Sequence, residues 1–330
     1  MIFAYIPHDG LIERRTIGPD DKLPTSALWI DLFEPTDEDR ARVDAAFNLA
    51  IPTHAEMLEI EPSARLYSEN GAVYMTATIL ARADEPNPTA DAFTFVLANR
   101  SLVTVRYHDP RPVKTFGARI VRLPATCTSG EEALLGLLET FVDRIADILE
   151  KAGLDLDGIS RGIFERTSAA ARQTGQEQDM QQVLRQLGRI EDLCSTARES
   201  MLGLVRLVRF LDVSIDAESK KRAKEISARV KTLNRDLTSL MEHADFDSRK
   251  VNFLLDATLG LINIEQNRII KLFSVVSVVL MPPTLVGTVY GMNFRAMPEL
   301  DWSFGYPMAI GVMLASAILP YLYFKKRGWF

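Results

Sequence analysis

Polar side chains recur at steps of three and four residues along the most apolar part of this chain. Such spacing places side chains on one face of an α-helix. Within an apolar helix, hydroxyl and amide groups either hold helices together or line a path for water. Considered alone, the spacing favours the first role. The stripe consists of Asp256, Asn263, Asn267, Ile270, Ser274, Ser277, Met281, Thr284 and Thr288.

The length of this stripe favours an ion path over packing alone. It continues without interruption to a carboxylate, Asp256, and a continuous polar face is more than helix packing needs. Two helices of one chain cannot enclose water, so a pore would require several copies around an axis. In such a ring Asp256 would form a carboxylate ring that attracts cations. Met281 and Ile270 would form apolar constrictions that gate by dewetting.

The stripe runs through the first of two segments that are long enough to cross a membrane. No Asp, Glu, Lys, Arg or His occurs in Leu272–Phe294 or in Trp302–Phe324. As helices of about 1.5 Å per residue, these segments reach roughly 34 Å, against a hydrocarbon core of about 30 Å. One such segment could be the core helix of a soluble protein. Two of them in close succession predict a pair of membrane spans.

Two local features of the first span affect its geometry. The Pro282-Pro283 pair removes backbone donors and predicts a bend, which is either static or a point of flexing. Gly287 and Gly291 form a GxxxG pair, which lets helix backbones approach closely near the end of the span.

The charges that flank the spans predict their orientation. Arg268 and Lys271 precede the first span, and the connecting segment carries one basic residue, Arg295, against Glu299 and Asp301. The positive-inside rule therefore places both termini in the cytoplasm and the short loop outside the cell, in a multi-pass protein of the cell (inner) membrane. The basic residues after the second span are Lys325, Lys326 and Arg327.

Composition and motifs exclude several classes of function. The formal net charge of −6 argues against binding to nucleic acid, which needs a basic face. We find no glycine-rich nucleotide loop, no HExxH motif and no set of nucleophile and base, so an enzyme is not expected. The absence of a signal peptide pattern predicts that the N-terminal part stays in the cytoplasm, with Cys127 and Cys194 reduced.

The chain of 330 residues reads as three regions: an α+β cytoplasmic domain over 1–125, a cytoplasmic helical region with a long stalk helix over 126–271, and two transmembrane helices over 272–330. Five short β-rich runs occur in the first region, where Thr36 is expected to cap a helix. A stripe of apolar residues from Val230 to Leu261, interrupted at Asp247, leads towards the first span. It predicts one helix from Asp216 to Tyr290, roughly 110 Å long.

The C-terminal part of the chain resembles the CorA family of magnesium channels. The resemblance is carried by Gly291-Met292-Asn293 at the end of the first span, by Met297-Pro298-Glu299-Leu300 in the loop, and by the basic and aromatic C-terminus. Upstream it rests on architecture alone. The resemblance implies a funnel-shaped cyclic oligomer, a homopentamer embedded in membrane lipid, that transports divalent cations.

The resemblance also implies roles for individual residues. Gly291, Met292 and Asn293 would form the selectivity filter, in which Asn293 holds a hydrated ion. Neutral oxygens suit this role because Mg²⁺ gives up its water shell reluctantly. Glu299 would belong to the outer loop, and Lys325, Lys326 and Arg327 to a basic collar. The pore positions that the resemblance implies are Asp256, Asn267, Ile270, Phe273, Met281 and Thr284.

In this family, Mg²⁺ inside the cell binds between subunits and holds the channel closed. One acidic position of that sensor corresponds to Thr232 here. Nearby acids either take its place or form a solvated helix face. These acids are Asp236, Glu242, Asp245 and Asp247.

Two other functions remain open. A zinc transporter of the ZntB type would share the architecture, although Met292 favours magnesium, with Co²⁺ and Ni²⁺ carried incidentally. A membrane-anchored sensor or scaffold without transport would use the polar stripe only to hold helices together. Ion flux through purified protein distinguishes all three. With no nucleotide-binding motif, transport would be passive and driven by the membrane potential.

Overall fold

A computed structural model describes residues 1–83, 85, 88–165, 176–214, 220–293, 297–298 and 302–328. The chain divides into two compact units, 1–255 and 256–330. The first unit contains a sheet and the helices that cover it. The second contains the two apolar helical segments.

A seven-stranded mixed sheet forms the centre of the first unit. Its order is β2-β1-β3-β7-β6-β5-β4, and among these pairs only β3 and β7 run parallel. Non-glycine residues with positive φ turn three hairpins, as at Asn70-Gly71 between β4 and β5. The strands are β1 (Ile2–His8), β2 (Leu11–Ile17), β3 (Trp29–Phe33), β4 (Leu66–Glu69), β5 (Ala72–Ala81), β6 (Thr89–Ala98) and β7 (Ser101–Arg106).

The sequence predicted five of these strands and missed the two edge strands, β2 and β4. Most residues of β2 are exposed, and it carries Glu13, Arg14 and Arg15. Charged residues on an edge strand protect it against pairing with another chain, and they also hide the strand from a search for β-rich runs.

Three short helices lie between β3 and β4, and a fourth follows β7. They are α1 (Asp37–Phe47), α2 (His54–Met57), α3 (Pro62–Arg65) and α4 (Arg111–Arg122). Thr36 caps α1 as expected, because its hydroxyl accepts from the Asp39 amide at 3.1 Å and the Asp39 carboxylate accepts from the Thr36 amide at 3.3 Å. This reciprocal pair satisfies two backbone donors that the first turn leaves open.

Two long helices cover the sheet, α5 (Gly130–Glu165) and α6 (Gln176–Ser214). Helix α5 begins where the chain is too crowded for a side chain: a Cβ on Gly130 would lie 2.5 Å from the Ser101 carbonyl carbon. Helix α6 packs on β5, where the Leu80 amide donates to the Ser200 hydroxyl at 3.1 Å. The sheet and these helices enclose an apolar core that includes Trp29, Phe93 and Phe95.

The predicted long helix exists as α7 (Lys220–Tyr290), and it is followed by α8 (Gly305–Lys326). The expected start at Asp216 lies outside the described residues. Pro282 and Pro283 lie inside α7 without ending it. The apolar stripe of α7 is buried at Val230, Leu237 and Leu254, and the interruption at Asp247 is buried as well.

Candidate functional site

The two candidate spans are apolar helices that are exposed along almost their whole length. In the most apolar stretch of α7 only 6% of residues are buried, and in that of α8 none is. The core helix of a soluble protein would be mostly buried, and a signal sequence would lie near the N-terminus. Exposure of this kind on two long apolar helices is therefore best matched by a membrane.

The predicted pore-lining residues are exposed on a face of α7 that the chain leaves uncovered. The better-covered residues of the same helical segment include Val275, Val279, Val286 and Tyr290. At about 100° per residue, these two sets lie on roughly opposite sides of the helix. The exposed set consists of Asp256, Asn263, Asn267, Ile270, Phe273, Ser274, Ser277, Met281, Thr284 and Thr288.

Helix α8 approaches α7 at Gly287, near the end of the first span. A Cβ added to Gly287 would lie 2.7 Å from Cε of Met313 on α8. For Gly291, the second glycine of the pair, the nearest atoms belong to α7 itself, with the Gly287 carbonyl oxygen at 3.1 Å. Of the two glycines in the predicted pair, Gly287 is thus the one that lies against the other helix.

The threonine hydroxyls of the stripe are bonded within their own helix. The Thr284 hydroxyl donates to the Leu280 carbonyl oxygen at 2.8 Å, and that of Thr288 donates to the Thr284 carbonyl oxygen at 2.8 Å. A hydroxyl that donates its only hydrogen to the backbone keeps acceptor lone pairs. The exposed threonines therefore present hydrogen-bond acceptors, which match the outward-pointing hydrogens of a hydrated cation.

The Gly291-Met292-Asn293 triplet directly follows the last residue of α7. The Gly291 amide donates to the Gly287 carbonyl oxygen at 3.0 Å, and the Met292 amide donates to that of Val289 at 3.3 Å. All three residues are exposed. The predicted loop residue Glu299 lies outside the described residues, together with Phe294 and Asp301.

The predicted basic collar residues lie at the C-terminal end of α8. Lys325 and Lys326 form its last turn, where cations interact favourably with the helix dipole. The Arg327 guanidinium lies over the Tyr323 ring, 5.4 Å from its centre. All three basic residues are exposed.

The acids near the expected sensor position differ in their surroundings. Thr232 is exposed and donates to the Ala228 carbonyl oxygen at 3.2 Å. Asp245 pairs with Arg198 at 2.6 Å, and half-exposed Asp236 lies 3.5 Å from Arg235. Asp247 is fully buried, and burial raises the pKa of its carboxyl. Asp236 therefore fits the expectation of a solvated helix face, and Asp247 does not.

No three side chains of His, Cys, Asp or Glu come together to hold a metal ion in the described parts of the chain. The contact of Gly287 with Met313 is the feature that sequence reasoning missed. The sequence shows Gly287 as a small residue of a GxxxG pair, but it does not indicate which residue of the other helix packs against it.

Comparisons with known proteins are consistent across sequence and structure. Residues 25–326 match the family model described as CorA-like Mg²⁺ transporter protein. The chain is 37% identical over 331 residues to the magnesium transport protein CorA of Escherichia coli (strain K12), with 100% of both chains covered.

Two solved structures have a similar fold. The CorA magnesium transporter from Methanocaldococcus jannaschii matches with a TM-score of 0.76 at 15% identity, over 100% of this chain and 99% of that one. The ZntB cytoplasmic domain from Vibrio parahaemolyticus matches with a TM-score of 0.57 at 10% identity, over 79% of this chain and 97% of that one.

Proposed function

Because this chain belongs to the CorA-like Mg²⁺ transporter family, we propose that it carries Mg²⁺ across the cell membrane through a pore formed by several copies. The observation that carries the proposal is the polar stripe of α7, which is exposed on the side opposite to the one that its own chain covers. A stripe that only held the two helices of one chain together would lie on the covered side.

In the proposed pore each stripe residue becomes a ring of side chains. The rings of Thr284 and Thr288 present acceptors to the water shell of the ion. Met281, Ile270 and Phe273 form apolar rings that close the path by dewetting. We take the number of copies to be five, as the family resemblance implies.

The mouth of the pore selects a hydrated ion. Asn293 and the carbonyl oxygens of Gly291 bind the water shell of Mg²⁺ without replacing it, because Mg²⁺ loses water reluctantly. Co²⁺ and Ni²⁺ pass as ions of the same charge. A ring of carboxylates at this position would bind the ion more strongly and slow its release.

Transport is passive and inward. With both termini in the cytoplasm, a potential of about 100 mV, negative inside, drives a divalent ion with roughly 4.6 kcal/mol. Cytoplasmic Mg²⁺ closes the pore by binding acids of the α7 region. Half-exposed Asp236 suits such a site better than buried Asp247 does.

The test is Mg²⁺ flux into liposomes that contain the purified full-length protein. Replacement of Asn293 by Ala should lower flux at least about ten-fold, since a hydrogen bond to a charged species is worth about 1.5–3 kcal/mol. Asn252→Ala is the matched control, because exposed Asn252 donates to the Ser248 carbonyl oxygen of its own helix. Both variants should keep the oligomer size of the unchanged protein.

Each result distinguishes between functions. Equal Mg²⁺ flux in the Asn293→Ala variant would refute the role of the mouth. Zn²⁺ flux that needs a pH gradient, without Mg²⁺ flux, would favour a transporter of the ZntB type. No flux of any divalent ion would leave the membrane-anchored scaffold as the function.

A further inference from the structure

The geometry points to Met313 of α8 as a positioning residue for the Gly291-Met292-Asn293 mouth, acting through the backbone of Gly287. This inference rests on the proposed function, because it concerns how the ion-binding mouth is held in place. It assigns to the second helix a part in ion selection, beyond that of a membrane anchor.

The absence of a side chain at residue 287 is what lets Met313 approach α7. A Cβ there would lie 2.7 Å from Cε of Met313, which is closer than real Cβ atoms come to any neighbour, so a side chain at residue 287 would push the flexible end of Met313 aside and end this contact. By contrast, a Cβ on Gly260 of α7 or Gly311 of α8 would meet nothing within 4 Å. Of these three helical glycines, Gly287 is the one at which an added side chain would meet a neighbouring residue.

Met313 is better covered than the residues beside it on α8. It is half-buried, whereas Val312 and Leu314 are 46% and 58% exposed. Its carbonyl oxygen accepts a hydrogen bond from the Ser316 hydroxyl at 2.8 Å. The methionine side chain thus extends from a regular part of α8 into the space that Gly287 leaves open.

The Gly287 backbone connects this contact to the mouth. Its carbonyl oxygen accepts the Gly291 amide at 3.0 Å, so the first residue of the triplet is held directly by residue 287. A Cβ on Gly291 would lie 3.1 Å from that same oxygen. A shift of residue 287 away from α8 would therefore move the triplet with it.

A hydrated ion is sensitive to such a shift. The proposed mouth binds the water shell of Mg²⁺ through neutral oxygens from each copy, so its affinity depends on the radius of the ring. Binding sites need their groups held to within about 0.5 Å. Displacement of the last turn of α7 should alter the external Mg²⁺ concentration that gives half-maximal flux more than it alters assembly.

The experiment measures Mg²⁺ flux against external Mg²⁺ concentration for full-length protein in liposomes, with oligomer size determined in parallel. Gly287→Val should raise the half-saturating concentration roughly ten-fold, because a displacement of about 1 Å can cost a functional site ten-fold or more. Gly287→Ala should cause a smaller rise. Gly311→Val is the matched control and should leave the concentration unchanged.

Truncation of Met313 tests the contact from the other helix. Met313→Ala removes the Cε atom that packs at Gly287, so it should raise the half-saturating concentration as Gly287→Val does, whereas Leu314→Ala, at an exposed neighbour, should not. An unchanged half-saturating concentration in Met313→Ala, or in both Gly287 variants, would overturn the inference. If Gly287→Val does not assemble, Met313→Ala decides by the same readout. If the unchanged protein shows no Mg²⁺ flux, that result refutes the proposed function rather than this inference alone.

Discussion

The Thr288 hydroxyl donates its hydrogen to the carbonyl oxygen of Thr284, 2.8 Å away, on the exposed face of α7. Thr284 donates in the same way to Leu280 one turn earlier. The two side chains therefore offer acceptors rather than donors on a face that the chain leaves uncovered. The hydroxyl groups of this apolar helix thus offer the acceptors that suit the outward-pointing hydrogens of a hydrated cation.

Removal of the Thr284 acceptor should impair transport. Valine has nearly the shape of threonine but no oxygen, so Thr284→Val should lower Mg²⁺ flux several-fold, on the scale of about 1 kcal/mol for one hydrogen bond. Thr284→Ser keeps the oxygen and should retain most of the flux. Thr238→Val is the control, because Thr238 also bonds within α7, to Asn234 at 2.7 Å. Equal fluxes in the Val and Ser variants would argue against ion contact at this ring.

Asp256 is expected to attract cations to the cytoplasmic end of the stripe. Asp256→Asn should reduce flux most at low ionic strength, because charges separated by more than about 10 Å are screened at 0.1 M salt. Flux measured from 0.01 to about 0.3 M salt checks the dependence. The exposed acid Asp212 of α6 supplies the control variant, Asp212→Asn. An Asp256→Asn variant with the salt dependence of the unchanged protein would contradict a carboxylate ring.

The buried ion pair between Asp31 and Arg106 should be essential for the stability of the sheet. Arg106 Nη2 lies 3.0 Å from Asp31 Oδ2, the two residues are 4% and 1% exposed, and they join the parallel strands β3 and β7. Asp31→Ala removes the fully buried partner of Arg106 and leaves its guanidinium with the partly exposed Asp109 carboxylate at 3.0 Å, which should lower the free energy of unfolding by about 3 kcal/mol.

Denaturant titration of the purified protein measures this effect. The matched control is Glu13→Ala, which removes an exposed ion pair with Arg15 and should cause a much smaller change. A loss in Asp31→Ala no larger than that of the control would show that the pair adds little.

His108 should make the protein less stable in mild acid. Burial lowers the pKa of its imidazole from 6.5 to about 4, against an opposing effect of Asp91 and with smaller effects of Arg106, Asp109 and Arg82. The unfolded chain takes up this proton near pH 6.5 and the folded chain near pH 4. Stability is therefore complete above pH 6.5 and decreases as the pH falls towards 4, by up to about 3 kcal/mol.

Thermal unfolding between pH 4.5 and 7.5 provides the measurement. His108→Gln should reduce the loss on the acid side, and His8→Gln, at a side chain that is 77% exposed, should not. Asp44 and Asp143, whose carboxyl pKa values are raised by burial, act in the opposite direction. The difference between variant and unchanged protein isolates His108, and identical curves would refute its role.

The sequence alone determined the features that depend on neighbours a few residues apart. The two spans, the polar stripe, the Thr36 cap and the long helix α7 follow from hydropathy and from a period of three to four residues, which the geometry of a single helix imposes. The Gly291-Met292-Asn293 triplet identified the family because of its position at the end of a span.

Tertiary structure decided the relations between residues that are distant in the chain. It selected the parallel pairing of β3 with β7, which brings Asp31 to Arg106, and it brought Met313 to Gly287. It also determined which side of α7 is covered and which side remains exposed. These outcomes depend on packing between separate elements, and no periodicity within one element encodes its partner.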